Sequence, residues 1–223
     1  MADTLTVTQV KFSPAFMPHE ESSFLRQLLA SSSKKSALQK NSKSGASVQS
    51  VQWEALHCKA TSMDFFDGLI EKGIVSKAGN IRGCFDDVFD GVSVSDKLRE
   101  LLVNPDSENA DVFSPDQQRE LIFHIFKALC VGGAICQPDD RLEDYTGATK
   151  TLYKDLVSVR RSQSTGELEI AACKVYRVND INGGGDCAGM WSAPQSPHNV
   201  CLVVVDLLKR RASILRKEFV PFW

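Results

Sequence analysis

The sequence predicts an α+β fold, in which a helical middle segment packs on a mainly antiparallel sheet that ends in C-terminal hairpins. Three observations predict it. Between Thr61 and Gly133, apolar residues recur at helical spacing behind recognisable caps. The N-terminal run Leu5–Phe12 and most of the chain after Thr149 alternate apolar and polar residues at strand spacing. A Ser/Lys-rich tract separates the first elements from the rest. With 223 residues, 43% of them hydrophobic, the chain can bury one sizeable core, and a single domain over 1–223 is expected.

The first element is "LTVTQVKF", Leu5 to Phe12, whose alternation closes at Pro14 and Pro18 and predicts a short strand. In "HEESSFLRQLLA", Glu20 and Glu21 stand where a helix dipole favours negative charge. Phe24, Leu25, Leu28 and Leu29 form one stripe behind them. "SSSKKSALQKNSKSGAS", Ser31 to Ser47, has little to bury and predicts a flexible loop. Ser31 and Lys34 in it have the spacing of some serine acyl-enzymes, but such a tract has no fixed geometry to hold the amine against the hydroxyl. "VQSVQWEAL" then predicts a strand with Val51, Trp53 and Ala55 on one face.

Three helices are expected next. "TSMDFFDGLIEKGIV" begins at a Thr61 or Ser62 cap, turns Phe65, Phe66, Leu69 and Ile70 inward, and stops at Gly73. "SVSDKLRELLV" takes Ser93 or Ser95 as its cap, with Leu98, Leu101 and Leu102 inward, and loops bearing Gly79, Gly83 and Gly91 separate the two. "SPDQQRELIFHIFKALCVGG" carries Ser114 as cap, Pro115 at the first helical position and Gln117 to complete a capping box, ahead of Leu121, Ile122, Ile125, Phe126 and Leu129. That helix is expected at the centre of the core.

From Thr149 to Val178 two apolar-alternating runs flank a polar turn, which predicts a β-hairpin with a basic tip at Arg160, Arg161, Ser162 and Gly166. A Gly/Pro-bearing excursion over Asn179–Asn199 follows. Two further strands in "VCLVVVDLLKRRASILRKEF" are joined near Leu207–Arg211.

Little in this pattern carries chemistry. A net charge of −2 gives no general attraction for a polyanion, so no nucleic-acid partner is expected. The start lacks a basic stretch followed by an apolar one, and no apolar run is long enough to span a bilayer, so a soluble, unsecreted protein without membrane insertion is expected. Cys58, Cys84, Cys130, Cys136, Cys173, Cys187 and Cys201 are odd in number and widely spaced, unlike a disulfide framework or the close pairs of a zinc site. They read as reduced, small buried groups, with no metal and no cofactor. His124 lies at the edge of an apolar stripe with no carboxylate or thiol at a matching spacing. Asp86–Asp87 and Asp139–Asp140 are adjacent pairs whose side chains diverge, and no helix follows Gly183–Gly185 to complete a phosphate cradle. A dispersed Cys/His site is the enzymatic alternative, a small cysteine-dependent hydrolase, because such partners are distant along the chain.

The wording of "MDFFDGLIEKGIVSKAGNIRGCFDDVFDGVSVSDKLRELLV", "DVFSPDQQRELIFHIFKALCVGGAICQ" and "TKTLYKDLVSVRR", with a fainter echo in "VVVDLLKRR", resembles the cilia- and flagella-associated protein 300 family. The resemblance runs from about Met63 to Val178. It implies a non-enzymatic factor for axonemal outer and inner dynein arms, working in the cytoplasm with dynein arm assembly factors or axonemal dynein subunits. It further implies entry into the cilium or flagellum with the intraflagellar transport machinery. No catalytic motif comes with it. The candidate partner-binding residues are the basic Lys154, Arg160, Arg161, Arg210 and Arg211, and the candidate phosphorylation sites are Ser162 and Ser213, in "VRRS" and "RRAS".

Overall fold

A computed structural model describes residues 5–13, 16–33, 48–132, 140–181 and 196–219. In chain order the elements are β1 (Thr6–Lys11), α1 (Glu21–Ser33), β2 (Val51–Leu56), α2 (Gly68–Glu71), β3 (Gly83–Phe89), β4 (Val92–Asp96), α3 (Lys97–Val103), α4 (Pro115–Gln118), α5 (Leu121–Val131), α6 (Leu142–Leu156), β5 (Val159–Arg161), β6 (Leu168–Ile170), β7 (Cys173–Ile181), β8 (Val200–Asp206) and β9 (Arg211–Lys217). The fold is α+β with antiparallel sheets, as the patterning predicts. These elements form two compact units, one built on His57–Ile170, the other on Ala171–Glu218 with the N-terminal segment up to Leu56.

The second of these units is a five-stranded antiparallel sheet in the order β1-β9-β8-β7-β2 with α1 laid on one face. The stripe read from the sequence does the work: Phe24, Leu25, Leu28 and Leu29 pack with Val10, Tyr176, Val178, Cys201, Val203, Val205, Ala212 and Ile214. Phe12 and Phe16 meet Phe24 edge-on at 5.0 and 5.3 Å. Two polar links fix the start of the helix against the sheet. Tyr176 donates its hydroxyl proton to Glu21 Oε1 (2.9 Å), and Trp53 Nε1 donates to Ser22 Oγ (3.2 Å). The strand β2 forms as predicted with Val51 and Trp53 half-buried, but Ala55 is exposed and Leu56 is the buried residue at its end. The helix α1 runs on through Ser31 to Ser33, where the sequence predicted loop, and Ser31 Oγ bonds back to Leu28 O (2.8 Å). The remainder of the predicted loop, 34–47, and Gly183–Gly185 lie outside the described residues.

The other unit is mainly helical. α5 is its centre, with Leu121, Ile122, Phe123, Ile125, Phe126, Ala128, Cys130 and Val131 all buried, whereas Leu129 is only half-buried. Phe66 reaches Phe126 at 4.4 Å between ring centres, and Phe113 meets Phe123 at 5.1 Å. The capping box at Ser114 forms in full, with Gln117 N donating to Ser114 Oγ and Ser114 N donating to Gln117 Oε1. The single helix predicted from it is nevertheless broken. Glu120 is extended because the passing segment at His57 pairs with it: His57 N donates to Arg119 O (2.8 Å), Leu121 N donates to His57 O (2.9 Å), and Lys59 N donates to Glu120 Oε2 (3.0 Å). Three good hydrogen bonds to a distant segment replace those of one helical turn.

Four further expectations are corrected here. The predicted Thr61–Gly73 helix is a 3-10 turn, Asp64–Phe66, followed by α2, with Ile70 exposed while Phe66, Leu69 and Ile74 are buried. Gly73 does supply the left-handed residue (φ 72°). The cap of α3 is Asp96, whose carboxylate accepts from Arg99 N (2.8 Å), because Ser93 and Ser95 are spent in a strand. What read as a glycine-bearing loop is the hairpin β3–β4. Its two-residue turn Asp90–Gly91 has positive φ at both positions (48° and 81°), the primed geometry that matches strand twist. Finally, the first arm of the hairpin predicted from Thr149 is the end of α6. Its buried residues Leu142, Tyr145, Thr149, Tyr153 and Leu156 lie on one helical stripe, packed on α5, and only the short β5–β6 pair remains of the hairpin.

Arg99 is buried and joins the elements of this unit. Its guanidinium pairs with Asp96, donates through Nε to Cys130 O (3.0 Å) and donates through Nη2 to Tyr145 Oη (3.1 Å). Replacing it with methionine leaves Asp96 partly buried without its counter-charge, so Arg99→Met is expected to cost about 3–5 kcal/mol of stability. The double change Asp96→Asn, Arg99→Met should cost less than the sum of the two singles. Urea unfolding followed by circular dichroism on all three variants measures both effects.

Candidate partner-binding surface

The cysteines are the natural starting point for an active site. Cys58, Cys84, Cys130, Cys173 and Cys201 are thiols and not disulfides; Cys136 and Cys187 lie outside the described residues. Partial burial, then the carboxylates of Asp96, Glu100 and Asp86, push the Cys84 thiol up. Burial inside the sheet unit pushes Cys201 up to about 12. Both shifts oppose formation of a thiolate, which is the reactive form. Cys58 Sγ lies 3.5 Å from the hydroxyl of Tyr153, whose own proton goes to Ala60 O (3.0 Å). His124 packs against the Phe123 ring beside it. Among the described residues no group of three His, Cys, Asp or Glu side chains is placed to hold a metal ion. A cavity of about 240 Å³ in the sheet unit is lined by Val10, Lys11, Phe12, Ser13, Phe24, Gln27, Leu28 and Ser31, a set without a carboxylate, imidazole or thiol.

The predicted basic residues divide between the two units. Lys154 is exposed in the last turn of α6, where it complements the helix dipole. Arg160 lies on β5 and is tied to Glu169 across the strand pair (2.7 Å), so its charge is locally balanced. Arg161 donates to Gly166 O (2.9 Å) and clamps the turn. Pairing of Val159 with Ile170 and of Arg161 with Leu168 places those four residues on one face of the ribbon, opposite Arg160 and Glu169. Val159 and Leu168 are each about half exposed, so the tip presents an apolar pair beside Arg161 as well as charge. Ser162 sits at the start of the turn, half-buried, its Oγ 3.0 Å from Ser164 Oγ.

Arg210 and Arg211 close the β8–β9 turn in the sheet unit. Arg210 donates to Ser13 O (3.3 Å) and Arg211 to Gln9 Oε1 (3.4 Å), so both tie the turn to β1. Ser213, by contrast, is buried. The strand begins at Arg211, which carries Ser213 into the middle of the sheet between Gln9 and Val204, 2% exposed. The basic tetrapeptide pointed to a turn, but the turn ends at its first arginine, Arg210, and the strand starts at Arg211.

Two of the most apolar exposed positions escaped sequence reading altogether. Phe85 is 97% exposed and Val88 47% exposed, both on β3. The Asp-Gly dipeptide between alternating apolar residues was the available signal for this hairpin.

A model of the cilia- and flagella-associated protein 300 family matches residues 1 to 217. The chain belongs to that family. Its relatives include cilia- and flagella-associated protein 300 of Chlamydomonas reinhardtii, 36% identical over 80% of this chain and 70% of the relative. The protein of the same name from Paramecium tetraurelia is 32% identical over 79% of this chain and 66% of its own length. The match extends well beyond the Met63–Val178 region in which the sequence resemblance was clearest. No solved structure matches.

A raised thiol pKa has a measurable sign. Alkylation of Cys84 by iodoacetamide should keep accelerating above pH about 9, where an ordinary thiol with a pKa of about 8.5 levels off. Cys201 should stay unmodified until the protein unfolds. Peptide mass spectrometry of each cysteine against pH reads both; a Cys84 rate that saturates below pH about 8 would reverse the electrostatic assignment.

Proposed function

We propose that this protein is a non-enzymatic adaptor that helps assemble axonemal outer and inner dynein arms. It acts in the cytoplasm with dynein arm assembly factors and enters the cilium or flagellum by intraflagellar transport. Membership of the cilia- and flagella-associated protein 300 family is the observation that carries this reading. The local chemistry of two thiols agrees with it, since burial at Cys84 and Cys201, and nearby carboxylates at Cys84, oppose thiolate formation.

The surface of β5–β6 is the proposed docking edge for this role. Its apolar face of Val159 and Leu168 supplies area to bury, and Arg161 supplies charge that selects an acidic partner. Phosphate on Ser162 would put negative charge beside Arg160 and Arg161 and weaken such a contact.

Rescue of a ciliated cell lacking the protein tests the reading. Cys84→Ser, Cys130→Ser and Cys136→Ser should each restore motility and both sets of arms. The double change Arg161→Glu, Leu168→Ser should leave the fold intact and weaken partner capture by about tenfold, with arms lost in proportion. A folded cysteine variant that fails to rescue, alongside a double variant that rescues fully, would overturn the adaptor reading.

A further inference from the structure

We propose that the β3–β4 hairpin is a second docking element, which inserts Phe85 into an apolar pocket rimmed by lysine or arginine on a partner protein. The geometry begins with a bulge. Gly83 pairs with Asp96 and Asp87 with Val94, so Cys84, Phe85 and Asp86 stand against Ser95 alone. An extra length of one strand cannot lie flat in the ladder; it bends out and re-aims its side chains. Here the residue at the centre of the excess is a phenylalanine. Its ring is 97% exposed, while the neighbouring Val92 and Val94 on the partner strand are buried. The hairpin therefore has an apolar side that serves the core and a separate aromatic projection that does not.

Val88, closer to the turn, is the next apolar residue exposed on the same strand. Around these two the hairpin carries Asp86, Asp87 and Asp90, all exposed, and from Gly83 to Asp96 it has no lysine or arginine. Burial first, and then the carboxylates of Asp96, Glu100 and Asp86, raise the neighbouring Cys84 thiol against an opposing pull from Lys97 at the hairpin root. An aromatic anchor ringed by like charges is the form of an interface centre with a charged rim. Charge complementarity fixes the occupant as a basic-rimmed pocket and excludes an acidic surface or a nucleic acid. This element differs from β5–β6, where Arg160 and Arg161 are matched in number by Glu167 and Glu169. The inference rests on the hairpin alone and does not depend on the dynein-arm reading.

Site-specific photo-crosslinking tests it in the full chain. p-Benzoylphenylalanine is placed at position 88 in protein expressed in ciliated cells, and adducts formed on illumination are mapped by mass spectrometry. A probe at Leu208, exposed in the other unit, serves as the control position. The expected result is an adduct from position 88 to another polypeptide, at a peptide where apolar residues are flanked by lysine or arginine. Its yield should fall about tenfold with Phe85→Ser and with Asp86→Lys, Asp87→Lys, and should decline as salt rises. Because Phe85 is almost wholly in solvent, Phe85→Ser should melt at the wild-type temperature, which separates lost docking from lost folding. Adducts confined to this chain or to a second copy of it would overturn the proposal. So would no adduct beyond the Leu208 control, or an adduct that survives the charge reversal unchanged.

Discussion

The buried guanidinium of Arg99 is the constraint on which the helical unit depends. One side chain meets the carboxylate at the end of β4, the Cys130 carbonyl near the end of α5 and the tyrosine hydroxyl of α6. A charge in this position is tolerable only when every face of the guanidinium is satisfied, so the three elements must arrive together. Asp96 serves twice, as counter-charge and as the cap of α3, which locks the end of the β3–β4 hairpin to the start of a helix. That double duty also explains the hairpin's character. Its root is pinned, while the bulge above it turns an aromatic ring outward instead of into the core.

The sheet unit is held by a different balance. Apolar burial under α1 supplies most of the stability, as Val203, Val205 and Ile214 pack beneath Leu25 and Leu28. The polar links at Glu21–Tyr176 and Ser22–Trp53 decide the placement of the helix rather than its existence. Burial and the bond to Glu21 push the Tyr176 phenol up, so the hydroxyl remains a donor throughout the range in which cells live. Cys201 belongs to the same packing and behaves as a small apolar side chain.

The two proposed docking surfaces are short ribbons of different make-up. The β5–β6 ribbon balances Arg160 against Glu169 and leaves Arg161 beside two exposed apolar residues, whereas β3–β4 sets Phe85 and Val88 among carboxylates. Short two-stranded ribbons suit this use, because their side chains carry little of the core and can be chosen for a partner.

Short-range patterning was enough to read the α+β class, the stripes of α1 and α5, the capping box at Ser114, the strand β1, the β8–β9 pair and the family. Each of these depends on neighbours within a few residues, where periodicity and capping chemistry act. It placed Arg160 and Arg161 in the hairpin tip, whereas both belong to β5, just ahead of the turn. The features that escaped it depend on distant partners. The break at Glu120 exists because His57, far away in the chain, offers its backbone there. Thr149 and Tyr153 favour strands by composition, yet lie in a helix because α5 receives their stripe. Ser213 looked like a turn residue until the pairing with Gln9 and Val204 carried it into the sheet. Phe85 could not be told from a core phenylalanine, since a bulge is a mismatch between two strands and neither strand records it alone.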